Sequence, residues 1–281
     1  MDVIKNTLYI VSTPIGNLGD ITLRALEVLK KSDIILCEDT RHSLKLLNHF
    51  KIKKKLISYH KFNEKRQLNP IIEHIKEGKI LSLISDAGTP LLSDPGKTLV
   101  NECINRKIKI SPVPGVSSIT TAMSVSGFDD KFLFYGFLPK KENELNKILK
   151  ELSINEFSIV FFIPSSKIDF YLNKFKIYFK NRKLMIAKEL TKLHEEIFFE
   201  NIENIKNLKK SLKGELTLVV SNRQRNLPKK LVDKNKIINK AKKYLKRYSL
   251  KDTVDLIIEN EKINKKDVYQ ICLNIKNEKD N

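Results

Sequence analysis

The stretch Lys79-Ile-Leu-Ser-Leu-Ile-Ser-Asp-Ala-Gly-Thr-Pro-Leu-Leu-Ser-Asp-Pro-Gly96 decides how the chain is read. Lys79 to Ile84 is a short run rich in Ile and Leu, which predicts a buried strand. From Ser85 to Gly96 the chain turns polar and carries Gly88, Pro90, Pro95 and Gly96. Proline fixes φ and removes an amide donor, while glycine permits left-handed or close-approach backbone, so regular structure stops there. Thr98, Leu99, Val100 and Cys103 then mark a helix. The order of strand, polar loop and helix belongs to open α/β sheets, whose ligands sit outside the carboxyl ends of strands. The loop is long for a plain connection and gathers Asp86, Thr89, Ser93 and Asp94, so it reads as a binding loop.

Similar units flank it. Leu8 to Ser12 is a first strand, followed by the loop Thr13 to Asp20. A helix from Ile21 to Lys31 follows, with Asp20 or Thr22 as its cap. The loop is neither G-x-G-x-x-G nor a P-loop. Asp33 to Cys37 is a second strand, running into Glu38-Asp39-Thr40-Arg41-His42, where Asp39 or Thr40 would cap the next helix. Lys55 to His60 is a third, and the segment Lys61 to Gln67 reads as a mobile basic loop before a helix from Leu68. Lys107 to Ser111 is a fifth, entering Pro112-Val-Pro-Gly-Val-Ser-Ser118 and a helix of small residues. Strands alternating with helices imply a parallel sheet.

The pattern changes after Ser126. Phe132 to Pro139, Phe157 to Ile163, Lys183 to Ala187, Glu195 to Glu200 and Gly214 to Val220 read as strands. Helices fall over Asn143 to Leu152, Lys167 to Phe175 and Ile202 to Leu212. This is a second α/β domain with more antiparallel character. Three short helices close the chain, Ile237 to Tyr248, Lys251 to Asn260 and Lys265 to Asn274, with a turn over Glu261 to Asp267. The expected division is 1–126, 127–222, a linker at 223–235, and a small basic helical domain at 236–281. Such a helical appendage reads either as a nucleic-acid contact or as a helical cap or dimer brace, and the sequence does not favour one over the other.

With 281 residues and 41% hydrophobic content the chain has material for about two domains and a sizeable core. No apolar run approaches the roughly 20 residues a membrane span needs, and the N-terminus lacks the pattern of a secretion signal. Cys37, Cys103 and Cys272 are scattered and odd in number, which fits a reducing cytoplasm and suggests no zinc site. The net charge of +20 attracts polyanions, nucleic acid above all, although abundant Lys, Ile and Asn also suit a coding bias.

Five motifs in fixed order carry a resemblance. They are Ser12 to Thr22, Cys37-Glu-Asp-Thr-Arg-His42, Ser85 to Gly96, Pro112 to Ser118, and Lys188-Glu-Leu-Thr-Lys192. Together they resemble the ribosomal RNA small subunit methyltransferase I family, a branch of the tetrapyrrole methylase superfamily. The resemblance implies a two-domain methylase fold, a homodimer, and S-adenosyl-L-methionine held in the cleft between domains. It further implies 2′-O-methylation of a cytidine ribose in 16S rRNA, free or within the small ribosomal subunit, with no metal and no membrane. The superfamily's cofactor contacts fall here on Pro14, Asp86, Thr89, Ser117, Ser118 and Ile163. The run Ile163-Pro-Ser-Ser-Lys167 departs from the Glu-Ser-Pro-His-Arg type usual in the family, and the point charge of Lys167 cannot reproduce an Arg fork.

Methyl transfer to a ribose hydroxyl benefits from a base, typically by ~10²–10⁴-fold. Polar density at strand ends and motif membership nominate Asp39 and Glu189 as that base. Arg41 and Lys188 or Lys192 would position phosphate, with His42 a further candidate. Two other readings remain at this level: another superfamily methyltransferase acting on a tetrapyrrole or protein acceptor, and a non-enzymatic RNA-binding protein on this scaffold.

Overall fold

The computed structural model describes residues 3–205, 214–223, 234–261 and 265–277. They fall into two compact units, Met1–Gln224 and Arg225–Asn281.

The first unit begins with a five-stranded sheet. Its strands are β1 (Thr7–Val11), β2 (Ile34–Cys37), β3 (Lys55–Ser58), β4 (Ile80–Leu83) and β5 (Lys109–Val113), in the order β3-β2-β4-β1-β5. All neighbours run parallel. Helices α1 (Leu23–Lys31), α2 (Thr40–His49), α3 (Glu64–Lys76), α4 (Lys97–Asn105) and α5 (Ser118–Ser126) complete the alternation. Both faces of the sheet are covered, which is why the inner strands β1, β2 and β4 are almost wholly apolar, while the edge strands β3 and β5 carry Lys and Ser. Leu8, Leu36 and Leu81 pack with Ile71, Ile75 and Leu99 on one side. Tyr9, Val11 and Ile35 pack with Val28, Leu29 and Leu47 on the other. Thr22 caps α1, its hydroxyl accepting from the Ala25 amide at 3.0 Å, and Asp39 caps α2 through the Arg41 amide at 2.8 Å.

Two boundaries differ from expectation. α3 starts at Glu64 rather than Leu68, so most of the expected loop is helix. Asn63 sets the start: it accepts from the His60 amide at 2.8 Å and donates to the Ser58 carbonyl at 2.9 Å, folding the chain into a tight turn. β5 runs on through Pro112 to Val113. It is an edge strand, where proline need not remove a ladder hydrogen bond.

The second sheet is mixed. Strands β6 (Phe132–Phe137), β7 (Ser158–Pro164), β8 (Lys183–Lys188), β9 (Glu196–Asn201) and β10 (Glu215–Val220) lie in the order β6-β7-β10-β8-β9. β6 and β7 are parallel, and the other pairs antiparallel. Helices α6 (Glu142–Ser153) and α7 (Ile168–Tyr178) bury one face around Phe161, Phe175, Leu149 and Leu172. The opposite face, with Val160, Met185 and Val219, packs on Ile15, Ile119 and Ala122 of the first sheet's loops and helix. The small side chains of α5 let it lie close to β10. The helix expected from Ile202 is a single 3₁₀ turn, Ile202–Asn204. Ile205 is already extended at φ −61° and ψ 121°, which stops it. The rest of that expected helix lies outside the described residues.

The second unit holds α8 (Lys234–Tyr244), α9 (Leu250–Glu261) and α10 (Lys265–Asn277) around Ile237, Ala241, Val254, Ile257, Val268 and Cys272. Most of the expected linker, and residues 262–264 of the expected turn, lie outside the described residues. Among the described residues no helix is long and apolar enough to cross a membrane.

Candidate functional site

β1 and β4 are neighbours at the centre of the first sheet, yet the chain leaves β1 towards β2 and leaves β4 towards β5. Their carboxyl ends therefore open a crevice, the usual place for a ligand in such sheets. Three loops are locked together there. The backbones of Thr13 and Gly88 exchange hydrogen bonds at 2.9 and 3.0 Å. Gly88 has φ +81°, and a Cβ on it would lie 3.2 Å from Ile15 Cγ2, so the bridge needs glycine. The Thr89 hydroxyl donates to the Val116 carbonyl at 3.0 Å and stands 2.9 Å from that of Ser12.

Above these loops is a cavity of about 370 Å³, within the ~300–1,000 Å³ of small-molecule sites. One wall is polar, with Asp86, Thr89, Asp94, Ser117 and Ser118, and the other is apolar, with Phe162, Ile163, Leu190 and Leu216. The structure thus brings together Asp86, Thr89, Ser117, Ser118 and Ile163. Pro14 does not line the cavity, and its neighbour Ile15 does. Ser117 is the N-cap of α5 with its hydroxyl uncommitted to the cap, and it lines the cavity with Ser118 of the first helical turn.

A second cavity, of about 500 Å³, is lined by Glu38, Asp39, Thr40, Arg41, Ser58, His60, Lys61, Phe62 and Asp86. Asp86 is common to both cavities. Its Oδ1 accepts from the Asp39 amide at 3.2 Å. Arg41 Nε and Nη2 donate to the Asp39 carboxylate at 3.1 and 2.8 Å, which holds Asp39 well below the usual carboxylate range. The opposite holds deeper in. Burial and the nearby charge of Glu38 push Asp94 up to about 6, against a hydrogen bond from Ser85. Burial, then Asp86, raises Glu38. Among the described residues no group of His, Cys, Asp and Glu side chains is placed to hold a metal ion.

Lys188, Glu189, Lys192 and His42 line neither cavity. Glu189 Oε1 accepts from the Glu215 amide at 2.8 Å and from Lys192 Nζ at 3.1 Å. Lys192 also reaches Glu215 at 3.2 Å, and Lys188 pairs with Glu196 at 2.9 Å. Burial works to raise Glu189, but the Glu215 amide and Lys192 outweigh it and lower its pKa. These charges fasten the end of β8 to β10 and β9. The motif's contribution to the cavity is apolar, through Leu190. Asp94 belongs to the expected binding loop, whereas Glu38 stands inside the motif Cys37 to His42 with no role expected of it. His60 closes the expected third strand and Phe62 lies in the polar segment Lys61 to Gln67, where a lone aromatic is the available signal.

The profile of the family described as Tetrapyrrole (Corrin/Porphyrin) Methylases matches residues 7–206. The Ribosomal RNA small subunit methyltransferase I of Thermotoga maritima is 44% identical over 220 residues, covering 77% of this chain and 99% of that protein. Its counterpart from Rickettsia prowazekii is 47% identical over 236 residues, 81% of this chain and 84% of that one. The one from Buchnera aphidicola is 38% identical over 279 residues, 95% and 96%. Among solved structures, a cobalt precorrin-4 methyltransferase matches with TM-score 0.57 and 15% identity, covering 77% and 95%. A diphthine synthase matches with TM-score 0.58 and 14% identity, covering 76% and 90%. At such identities these structures show a shared fold.

Proposed function

Because this chain belongs to the ribosomal RNA small subunit methyltransferase I family of the tetrapyrrole methylases, we propose that it methylates the ribose 2′-oxygen of a cytidine in 16S rRNA, using S-adenosyl-L-methionine. The observation that carries this reading is Asp86, which lines at once a half-apolar cavity and a more open, cation-rimmed one. Donor and acceptor have separate rooms with a common wall.

The residues of the inner cavity fit the cofactor. Phe162, Ile163 and Leu190 offer apolar surface for an adenine ring. Asp86 offers a carboxylate to ribose hydroxyls or an ammonium. Ser117 and Ser118, at the N-terminus of α5, suit a carboxylate. When bound, S-adenosyl-L-methionine supplies an activated methyl group together with its own leaving group. The chain's task is then to place the acceptor oxygen, exclude water and receive a proton. Asp39 is a weak base because Arg41 stabilises its anion, and Glu189 is engaged elsewhere. Proton acceptance falls instead to the carboxylates between the cavities, Glu38, Asp86 and Asp94, two of which bind a proton more readily than usual. The 2′-hydroxyl itself distinguishes RNA from DNA.

The proposed division places the first domain at 1–126 and the second at 127–222, with the cofactor between them. A homodimer acting in the cytoplasm completes the reading. The test is tritiated-methyl transfer from the cofactor to small subunits lacking modifications, beside free 16S rRNA and DNA. Label on a cytidine ribose with DNA inert is expected. Cofactor binding without label on either RNA substrate rejects the rRNA reading in favour of another acceptor.

A further inference from the structure

The outer cavity is asymmetric in its chemistry. Its floor is anionic, with Glu38 and Asp86. Its rim carries Arg41, whose side chain is 88% exposed, together with the exposed Lys61 and Phe62. Phe62 is 94% exposed, although an aromatic side chain of that size is normally placed where it buries area. Single exposed apolar residues are common on protein surfaces. Phe62 differs from them in forming a cavity wall and in being held outward by an ordered turn. Asn63 is buried and hydrogen-bonded to both His60 and Ser58. The Asn63 and Glu64 amides donate to the His60 carbonyl at 2.9 and 3.0 Å. The Phe62 amide donates to His60 Nδ1 at 3.2 Å, and the two rings meet edge-on at 6.1 Å. That hydrogen bond makes Nδ1 an acceptor and leaves Nε2 to carry the proton of the neutral ring.

We infer that Phe62 is a stacking platform for an unpaired RNA base, with Arg41 and Lys61 holding the flanking phosphates at the rim of the same cavity. The inference rests on the reading of the protein as an RNA methyltransferase and adds how the acceptor nucleotide is selected. The floor carboxylates exclude phosphate from the depth of the cavity and favour hydrogen-bond donors there, namely hydroxyl and amino groups. A nucleotide therefore enters with its phosphates outward and its sugar towards Asp86, the residue shared with the inner cavity. A base inside a duplex has no free face, so an aromatic platform selects single-stranded or extruded nucleotides. Arg41 donates two of its five N–H groups to Asp39, which orients the guanidinium and leaves three donors for phosphate.

The test uses the full chain and short fluorescein-labelled oligoribonucleotides, single-stranded and duplex, read by anisotropy without cofactor. Wild type is expected to prefer the single strand. Phe62→Ala should bind it roughly tenfold or more weakly, and Phe62→Trp about as well as wild type. Calorimetry with S-adenosylhomocysteine should give the same affinity for all three proteins, since Phe62 lines only the outer of the two cavities. Equal binding of the single strand by wild type and Phe62→Ala overturns the inference, as does a wild type that prefers duplex or binds no RNA. If Phe62-dependent RNA binding is found but 16S rRNA is not methylated, the proposed reaction fails and the platform stands.

Discussion

The backbone amide of Asp39 donates to Oδ1 of Asp86 at 3.2 Å, so the loop after β2 is tied to the loop after β4 at the residue common to both cavities. Asp86→Asn keeps an oxygen for that amide and removes the charge. Turnover is expected to fall by about 10²-fold or more with little change in melting temperature. Asp86→Ala also strands the Asp39 amide, at a further cost of about 1–3 kcal/mol. Kinetics beside thermal melts separate the two effects. Unchanged turnover in Asp86→Asn removes Asp86 from the reaction centre.

Glu189 is held by the Glu215 amide and by Lys192, a pairing that predicts a stabilising role. Glu189→Gln should lower stability by about 1.5–3 kcal/mol, the value of hydrogen bonds to a charged group, and leave turnover per folded molecule within a few-fold of wild type. The folded state lowers the pKa of Glu189. Its contribution is therefore present above the unfolded pKa of about 4.3 and is lost as pH falls through the folded value. Denaturant melts should show wild type and variant converging at acid pH. A variant of full stability without activity would return Glu189 to the list of bases.

Asp94 has the opposite sign. Its folded pKa, about 6, lies above that of an unfolded Asp, so its ionisation opposes folding. The stabilising contribution of the protonated form is complete below about pH 4 and is lost as pH rises through 6. Asp94→Asn should therefore melt higher than wild type at pH 8 and alike at pH 4, while losing turnover. The wild-type rate should rise with pH through about 6 and level off. A flat rate profile, or a variant melting lower than wild type at pH 8, contradicts this account of Asp94.

Gly96 ends the loop at φ +129°, and a Cβ there would sit 2.7 Å from Cδ2 of the buried Leu83. Gly96→Ala should cost about 1–3 kcal/mol through backbone strain, more if Leu83 cannot move. Chemical denaturation checks this. A variant as stable as wild type would mean that the loop has a second, relaxed conformation.

Much of this architecture was legible because its signals are local. Lys79 to Gly96 carries an apolar run and its terminators side by side, and β4, its loop and α4 follow that reading. Where tertiary context decides, the reading failed. Glu64 to Gln67 contains no apolar residue, so the first turn of α3 looked like a loop until Asn63 was seen to fold the chain into it. Ile202 and Ile205 have helical spacing, but both are buried on one core by a single 3₁₀ turn that ends at the extended Ile205. For the site, Asp86, Thr89, Ser117, Ser118 and Ile163 meet at one cavity. The charges of Lys188 to Lys192 look alike in sequence whether they catalyse or clamp, and only their partners on β9 and β10 tell the two apart.

The central claim is that cofactor and acceptor occupy two cavities sharing Asp86. The most direct measurement is a crystal structure with S-adenosylhomocysteine bound. The account predicts density in the inner cavity, within hydrogen-bond reach of Asp86 and against Ile163 and Leu190, with the space beside Phe62 left open. Density in the outer cavity, or away from Asp86, would contradict it.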